Sequence, residues 1–455
     1  MSIIIIGAGE VGYNVASRLS RERKDIVVID KDEQKVQKVA DTLDVHSILG
    51  SGSSMSVLRK AGIEAAEIVI AATDSDEVNM VSCLVAGVQA FVPTKIARIR
   101  DPEYASNAKI LGPDRLDIDL VINTDQEVVS SILRVLEIHR ATDVVDLVEG
   151  KLRMACFVAD KGNPFTGQQL VGLKKIYPDM GVVVAAIYRG NTVIIPRGND
   201  TIAERDLVYV MGAPERVSQL FASFPNSHAG PIRRVMIFGG GNVGLNLARA
   251  LEKRAVSTKI IDPREERCHL LAAQLEKATV LKGDFTSHEM LKEEGLGEMD
   301  AVVAATPEDE NNILLCLLAK RMGARRTMAC INRIAYSPLA YHTGVDVVVS
   351  PSLIAVNKIM QYVRRGKIAQ VVTLPEDQAE IIELEALDTS DLVNKKLRRL
   401  GLPKGMLVGA ITRGDQLLIP DGDTTIQPGD KVAMVVASQA VKDLERVTTV
   451  KLEFW

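Results

Sequence analysis

Short apolar runs alternate with amphipathic stretches over the first 140 residues. The runs at 3–6, 25–30, 46–49, 67–72, 94–100 and 121–122 predict six strands, and 11–21, 33–43, 56–61, 77–86 and 125–139 predict helices between and after them. The strand runs are nearly continuous in Ile, Val and Ala, as in strands buried on both faces of a parallel sheet. Strict alternation of strand and helix favours a doubly wound sheet. Thr124-Asp125-Gln126-Glu127 fits a capping box with Thr124 as N-cap. The helix that follows is apolar at Val128, Val129, Ile132, Leu133, Val135 and Leu136. That is more than one narrow stripe, so it needs cover on a second side, either from its own core or from another subunit. Residues 352–365 hold the equivalent place later in the chain.

The pattern changes after about residue 148. Residues 182–188, the turn Arg189-Gly190-Asn191 and residues 193–195 read as a hairpin, with a further strand at 206–211. The sequence repeats this at 407–412, Arg413-Gly414-Asp415, 416–419 and 431–436. The turns, Pro196 with Pro420, and Asp206 with Asp430 all align at an offset of 224. The stretch from Pro225 to Pro231 reads as a linker. The expected organisation is a nucleotide-binding domain (1–140), a small domain (141–224), the linker (225–231), a second nucleotide-binding domain (232–366) and a second small domain (367–455). The fold class is α/β, with two Rossmann-like doubly wound parallel-sheet domains, each followed by a small α+β domain.

Composition narrows the function. The 455 residues are 47% apolar but only 4% aromatic, with a net charge of −4, so neither a basic field nor a stacking platform points to nucleic acid. No apolar run approaches the roughly 18 residues of a membrane span. The first strand starts at residue 3, which argues against a signal peptide. Five cysteines, none in a C-x-x-C pair, read as buried thiols of a reducing cytosol. The six histidines are scattered and lack metal-ligand spacing.

Candidate chemistry lies in a repeated motif. Gly7-Ala8-Gly9-Glu10-Val11-Gly12 follows the first strand, and Gly239-Gly240-Gly241-Asn242-Val243-Gly244 follows the strand at 235–238. The same gap of 18 residues leads from Gly12 to Asp30 and from Gly244 to Asp262. The first glycine allows the tight turn, the second clears the approach of a pyrophosphate, and the third lets the helix pack on the sheet. The helix N-terminus then offers free N–H groups and partial positive charge. Asp30 and Asp262 are placed to accept hydrogen bonds from ribose hydroxyls, which favours NAD+ or NADH over a 2′-phosphorylated cofactor; Arg264 weakens that preference at the second motif. Other strand ends line the same crevices: Ser51 with Asp284, and Thr73 with Thr306, each at an offset of 233. Asp74 becomes Pro307 in the repeat, and Arg98 becomes Ile331, while Arg100 is matched by Arg333. Arg98 is a candidate phosphate ligand at the first crevice, with a surface salt bridge as the plainer alternative.

A hydride-transfer enzyme needs a proton-transfer group near the nicotinamide. No histidine recurs at equivalent positions, and no Ser-His-Asp or Cys-His arrangement is evident. Asp206 and Asp430 follow turns and fit strand capping. Two cofactor sites without neighbouring chemistry favour nucleotide sensing over catalysis. An NAD-dependent oxidoreductase with duplicated Rossmann domains, and a soluble nucleotide-binding scaffold, stay open as alternatives.

At these residues the chain resembles the RCK (KTN) family of regulators of potassium conductance and transport. The resemblance is carried by the strand–glycine turn–helix–Asp units, by the Ala-Ala-Thr strand ends with Asp76-Glu77-Val78-Asn79 or Glu308-Asp309-Glu310-Asn311-Asn312 after them, and by the hairpins followed by Ile195-Pro196 and Ile419-Pro420. It implies a cytoplasmic regulator, peripheral to the inner face of the cell membrane, docked on a potassium-translocating membrane protein of the TrkH or TrkG type. It implies NAD+ and NADH as ligands, with ATP or ADP as further candidates. Rings of eight nucleotide domains imply a homotetramer of this two-copy chain.

Overall fold

The computed structural model describes residues 2–22, 24–105, 107–112, 115–177, 180–190, 192–225, 231–363, 368–374 and 378–440. The chain divides into two compact units, one formed by 1–132 with 232–363 and the other by 133–231 with 364–455.

The first unit holds both parallel sheets. In chain order the first half runs β1 (Ser2–Ile6), α1 (Glu10–Arg21), β2 (Asp25–Asp30), α2 (Glu33–Thr42), β3 (His46–Leu49), α3 (Met55–Lys60), β4 (Ile68–Ala71), α4 (Asp76–Gln89), β5 (Thr94–Arg98), α5 (Pro102–Ala105), α6 (Ala108–Leu111), β6 (Leu120–Ile122) and α7 (Thr124–Glu137). Its strand order is β3-β2-β1-β4-β5-β6, all parallel. The order reverses between β1 and β4, so a crevice opens at their carboxyl ends. The expected strands are all present. The cap of α7 is not the expected one: Asn123 Oδ1 accepts the Gln126 N–H at 3.0 Å, while Thr124 is buried with its hydroxyl unpaired. Asparagine one residue earlier reaches the free N–H that threonine, already inside the first turn, cannot.

The small domain that follows contains β7 (Asp143–Leu147), β8 (Leu152–Val158), α8 (Leu170–Ile176), β9 (Val182–Arg189), β10 (Thr192–Ile194), β11 (Leu207–Gly212) and α9 (Pro214–Ala222). The second half repeats the plan with β12 (Arg234–Phe238), α10 (Asn242–Lys253), β13 (Ser257–Asp262), α11 (Glu265–Gln274), β14 (Thr279–Lys282), α12 (His288–Glu293), β15 (Ala301–Ala304), α13 (Asp309–Met322), β16 (Thr327–Cys330), α14 (Ser337–Thr343), β17 (Val347–Val349) and α15 (Pro351–Val363). Its sheet has the same order, β14-β13-β12-β15-β16-β17. Last come β18 (Ile368–Thr373), β19 (Ala379–Glu385), β20 (Met406–Arg413), β21 (Gln416–Leu418) and β22 (Lys431–Ala437). Asn191 of the expected hairpin turn and most of the expected linker, 226–230, lie outside the described residues.

Within the first unit, α15 leaves its own half and covers the other. Ala355, Val356, Ile359, Met360 and Val363 are buried against Ile3, Ile5, Val15 and Leu19 of the first half. Arg18 Nη1 donates to Asn357 Oδ1 at 2.9 Å, and Lys358 pairs with Glu127 at 3.1 Å. The second apolar side expected of this helix therefore has a partner inside the same chain.

The second unit joins two antiparallel sheets, β10-β9-β11-β8-β7 and β18-β19-β22-β20-β21. Met154, Tyr209 and Met211 share one core with Ile381, Ala410 and Val435. A Cβ on Gly409 would lie 2.4 Å from the Met211 sulfur, so glycine permits that close approach. Asp206 is held by the Arg189 fork at 3.0 and 2.8 Å, and Asp430 by Arg413 at 2.9 and 2.8 Å. These shared acids bind their own hairpins together.

Candidate nucleotide-binding site

Each glycine turn is fixed by its neighbours. Gly7 and Gly239 have φ of +103° and +101°, a region that favours glycine. A Cβ on Gly12 would sit 1.8 Å from the Gly7 carbonyl oxygen, and one on Gly244 2.0 Å from that of Gly239. Both helices thus lie hard against the turn. Gly9 and Gly241, by contrast, face open space with nothing within 4 Å. That clearance lies at the N-termini of α1 and α10, where a diphosphate meets unpaired N–H groups. Glu10 and Val11 form the first turn of α1, Asn242 and Val243 that of α10.

The two acids that end β2 and β13 differ. Asp30 Oδ2 accepts the Ala8 N–H at 2.6 Å and Oδ1 the Asp32 N–H at 2.9 Å, which leaves one lone-pair direction on each oxygen. Asp262 makes the corresponding bonds with Gly240 at 2.8 Å and Arg264 at 3.0 Å. In addition, the Arg264 guanidinium grips it through Nε at 2.9 Å and Nη2 at 2.9 Å. Burial pushes the Asp262 carboxyl up, but the Arg264 side chain and the loop N–H groups outweigh it and hold it below its ordinary value. Gly240 replaces Ala8 because a Cβ there would come 2.5 Å from Leu271.

The strand ends are clamped by residues whose role the motif did not reveal. Buried Asn79 accepts from the Thr73 N–H and hydroxyl at 2.9 and 2.7 Å and donates to the Arg98 carbonyl at 2.8 Å. Asn312 repeats this with Thr306 and Cys330. The counterpart of Arg98 is therefore Cys330 and not the expected Ile331, and that of Arg100 is Asn332 and not Arg333, because the connection before β16 is one residue shorter than that before β5. Asp76 accepts from the Arg100 and Asp101 N–H groups, and Asp309 from those of Asn332 and Arg333. Thr73 and Thr306 therefore shape the crevices from below. Ser51 is hydrogen-bonded to Ser53 at 2.8 Å, Asp284 accepts from Thr286, and the Asp74 carbonyl accepts from the Arg100 guanidinium.

Arg98 does not sit where the sequence suggested. A cavity of about 480 Å³ opens over the second crevice, lined by Gly239, Gly241, Asn242, Asp262 and Arg264 of the second half together with Arg98, Arg100 and Asp125 of the first. The carboxyl end of β5 and the start of α7 reach across to α10, so Arg98 lines the other half's crevice. Burial lowers its pKa, with Arg100 adding to the effect, and its Nε is buried without a hydrogen-bond partner. Burial pushes the Asp125 carboxyl up against the opposing pull of the Asn242 amide, Arg100 and Arg98. Nothing near Asp125 in the sequence indicates its place, because the crossing depends on how the halves pack.

The fold and the paired crevices define a duplicated nucleotide-binding-domain protein with paired small domains. The family models for the TrkA-N domain match residues 3–124 and 235–351, and those for the TrkA-C domain match 154–224 and 381–448. The chain is 38% identical to the Trk system potassium uptake protein TrkA of Azorhizobium caulinodans and 37% identical to that of Halomonas elongata, in each case over 100% of both chains. The chain belongs to the TrkA family. Among solved structures it resembles the GsuK RCK domain (TM-score 0.61, 19% identity, 99% of this chain and 95% of that one). It also resembles the GsuK channel bound to NAD (TM-score 0.61, 19% identity, 99% and 79%). These two likenesses concern the fold. Among the described residues no helix is long and apolar enough to cross a membrane, and no cluster of His, Cys, Asp and Glu could hold a metal ion.

Proposed function

We propose that the chain is the nucleotide-binding regulatory subunit of a potassium uptake system, acting on a separate potassium-translocating membrane protein rather than on a chemical substrate. The observation that carries this reading is the adenine-nucleotide cradle built twice: open space at Gly9 and Gly241 over a helix N-terminus, with Asp30 or Asp262 bound to the glycine loop. The names of the full-length relatives supply the process. NAD+ or NADH suits the first crevice, because the two remaining acceptor directions of Asp30 match a ribose diol and its charge repels a 2′-phosphate. ADP and ATP carry the same adenosine diphosphate and compete for the same cradle. The partner is of the TrkH or TrkG type, met at the cytoplasmic face of the membrane, and four chains supply eight nucleotide domains.

Nucleotide acts by changing the relative orientation of the domains. A ligand shifts such an equilibrium only through unequal affinity for the two states. Moving a 1:99 mixture to 99:1 takes about 10⁴-fold. A preference of about tenfold per crevice gives roughly 100-fold per chain, so two chains moving together would suffice. The test is potassium flux through the co-reconstituted membrane partner in proteoliposomes, with NAD+, NADH, ADP and ATP added in turn. Flux that ignores all four nucleotides, or steady turnover of NADH by the chain alone, defeats the proposal.

A further inference from the structure

We propose that the second crevice is a composite site, in which Arg98 of the first half binds the diphosphate of an adenine nucleotide seated on α10 of the second. This rests on the reading above that the crevice takes such a nucleotide. Arg98 closes β5, yet it lines the same cavity as Gly241 and Asn242. Its Nε is buried with no hydrogen-bond partner. Buried donors in folded proteins are nearly always paired, and an arginine keeps its charge when buried. A diphosphate supplies what is missing: anionic oxygens that match the guanidinium fork.

The neighbouring groups leave this task to Arg98. Arg100 is engaged with the Asp74 carbonyl and lies 3.8 Å from the Asp76 carboxylate. Asp125 faces Asn242 in the first turn of α10 and opposes an incoming anion. A ligand on α10 therefore needs a cation to offset Asp125, and Arg98 lines the cavity with a buried Nε donor that has no hydrogen-bond partner. The arrangement is one-directional. At the position equivalent to Arg98 the second half has Cys330, whose carbonyl accepts the Asn312 amide as that of Arg98 accepts the Asn79 amide, and a buried thiol delivers no charge to the first crevice. Occupancy of the second crevice is thereby felt by the end of β5 in the first half, and the coupling is reciprocal.

The test uses the full chain with one crevice closed at a time. Gly9 and Gly241 face open space, so Gly9→Asp or Gly241→Asp places a carboxylate where phosphate would lie without disturbing the packing. ADP and NADH are titrated calorimetrically into each chain. With the first crevice closed, Arg98→Gln should weaken both ligands by about tenfold or more, and Arg98→Lys, which keeps the charge but not the fork, by less. With the second crevice closed, Arg98→Gln should change neither affinity by more than about twofold. The inference is overturned by unchanged affinity in the first background, by equal weakening in both backgrounds, or by a loss confined to one of the two ligands. If the Gly9→Asp chain binds neither ligand while the wild-type chain binds both, the second crevice is no site and the inference fails with it. If the wild-type chain binds neither, the functional reading itself fails. Thermal melting without ligand checks that Arg98→Gln remains folded.

Discussion

Replacing Arg264 with alanine measures how far the two crevices differ at the ribose. The Asp262 carboxylate has four lone-pair directions. Two are used by the Gly240 and Arg264 N–H groups, and the Arg264 guanidinium takes the other two. A ribose diol can reach Asp262 only if the guanidinium swings away. Asp262 is buried, but the Arg264 side chain is 61% exposed, so solvent screens the pair and its release costs about 0–1 kcal/mol. Arg264→Ala should therefore tighten NAD+ at the second crevice by at most about 1 kcal/mol, roughly fivefold. The same change removes a cation that a 2′-phosphate could use, so NADP+ should weaken by about tenfold. The assay is calorimetric titration of NAD+ and NADP+ into the Gly9→Asp chain, in which the second crevice alone is open. A tenfold loss of NAD+ affinity in Arg264→Ala would show that Arg264 contacts the ligand instead of shielding its acid, and would refute this account.

Other outcomes follow from the same geometry. Gly12→Ala places a Cβ 1.8 Å from the Gly7 carbonyl oxygen; the chain should lose about 4 kcal/mol or more in urea unfolding, whereas Gly9→Ala should leave the unfolding midpoint unchanged and weaken NADH at the first crevice. Asn312→Leu strands the buried Thr306 N–H, which Asn312 accepts at 2.9 Å, along with the Cys330 carbonyl; a loss of about 2–5 kcal/mol is expected from these unsatisfied groups, read as a lowered melting temperature. The Asp125 carboxyl is raised by burial, so its ionised form destabilises the folded chain, an effect absent below the unfolded value near 3.8, growing as pH rises from there toward the raised folded value and constant above it. A bound diphosphate raises it further and favours proton uptake. NAD+ affinity at the second crevice should then increase as pH falls from neutral toward the ordinary carboxylate range, and Asp125→Asn should flatten that slope; parallel slopes in the two chains would remove Asp125 from the site.

Most of the fold can be read in the sequence, because each parallel strand carries its own signal: a continuous Ile/Val run flanked by a helix period, as at Ile3-Ile4-Ile5-Ile6. The glycine turns are legible for the same local reason, since φ near +100° and the Gly12–Gly7 contact each demand glycine at one position. What escaped notice depends on contacts remote in sequence. Nothing near Arg98 indicates that it lines a crevice built on a motif some 140 residues later, and the repeat misleads, because a constant sequence offset sets Arg98 against Ile331 whereas the sheet register sets it against Cys330. Asp262 keeps the spacing of Asp30, yet Arg264, two residues on, changes what the acid can accept. Repetition thus locates both crevices but does not make them equivalent. The strands β7, β8, β18 and β19 are not legible in the sequence, because no hairpin turn marks them and they gain their partners only in the antiparallel sheets.

The exchange of α15 has a consequence for any attempt to study the halves apart. In a fragment ending near residue 231, the first sheet would lose the cover provided by Val356, Ile359, Met360 and Val363, all essentially buried. At roughly 1.5–3 kcal/mol for each large apolar side chain, that is about 6–12 kcal/mol. Whole domains are stable by only about 5–15 kcal/mol, so a lone first half should not remain a folded monomer. It carries its own substitute, however. α7 is the counterpart of α15 in the repeat, with Val128, Ile132 and Leu133 buried along it. Two copies of the fragment can each offer α7 to the other's α1 face, as α15 does in the intact chain. The expected result is a dimer by light scattering at micromolar concentration, with cooperative melting that shifts upward as concentration rises. A fragment that is monomeric and melts as cooperatively as the full chain would mean that α15 contributes little to the first core, and the coupling path from β5 to α10 would then lack the rigid contact between halves on which it depends.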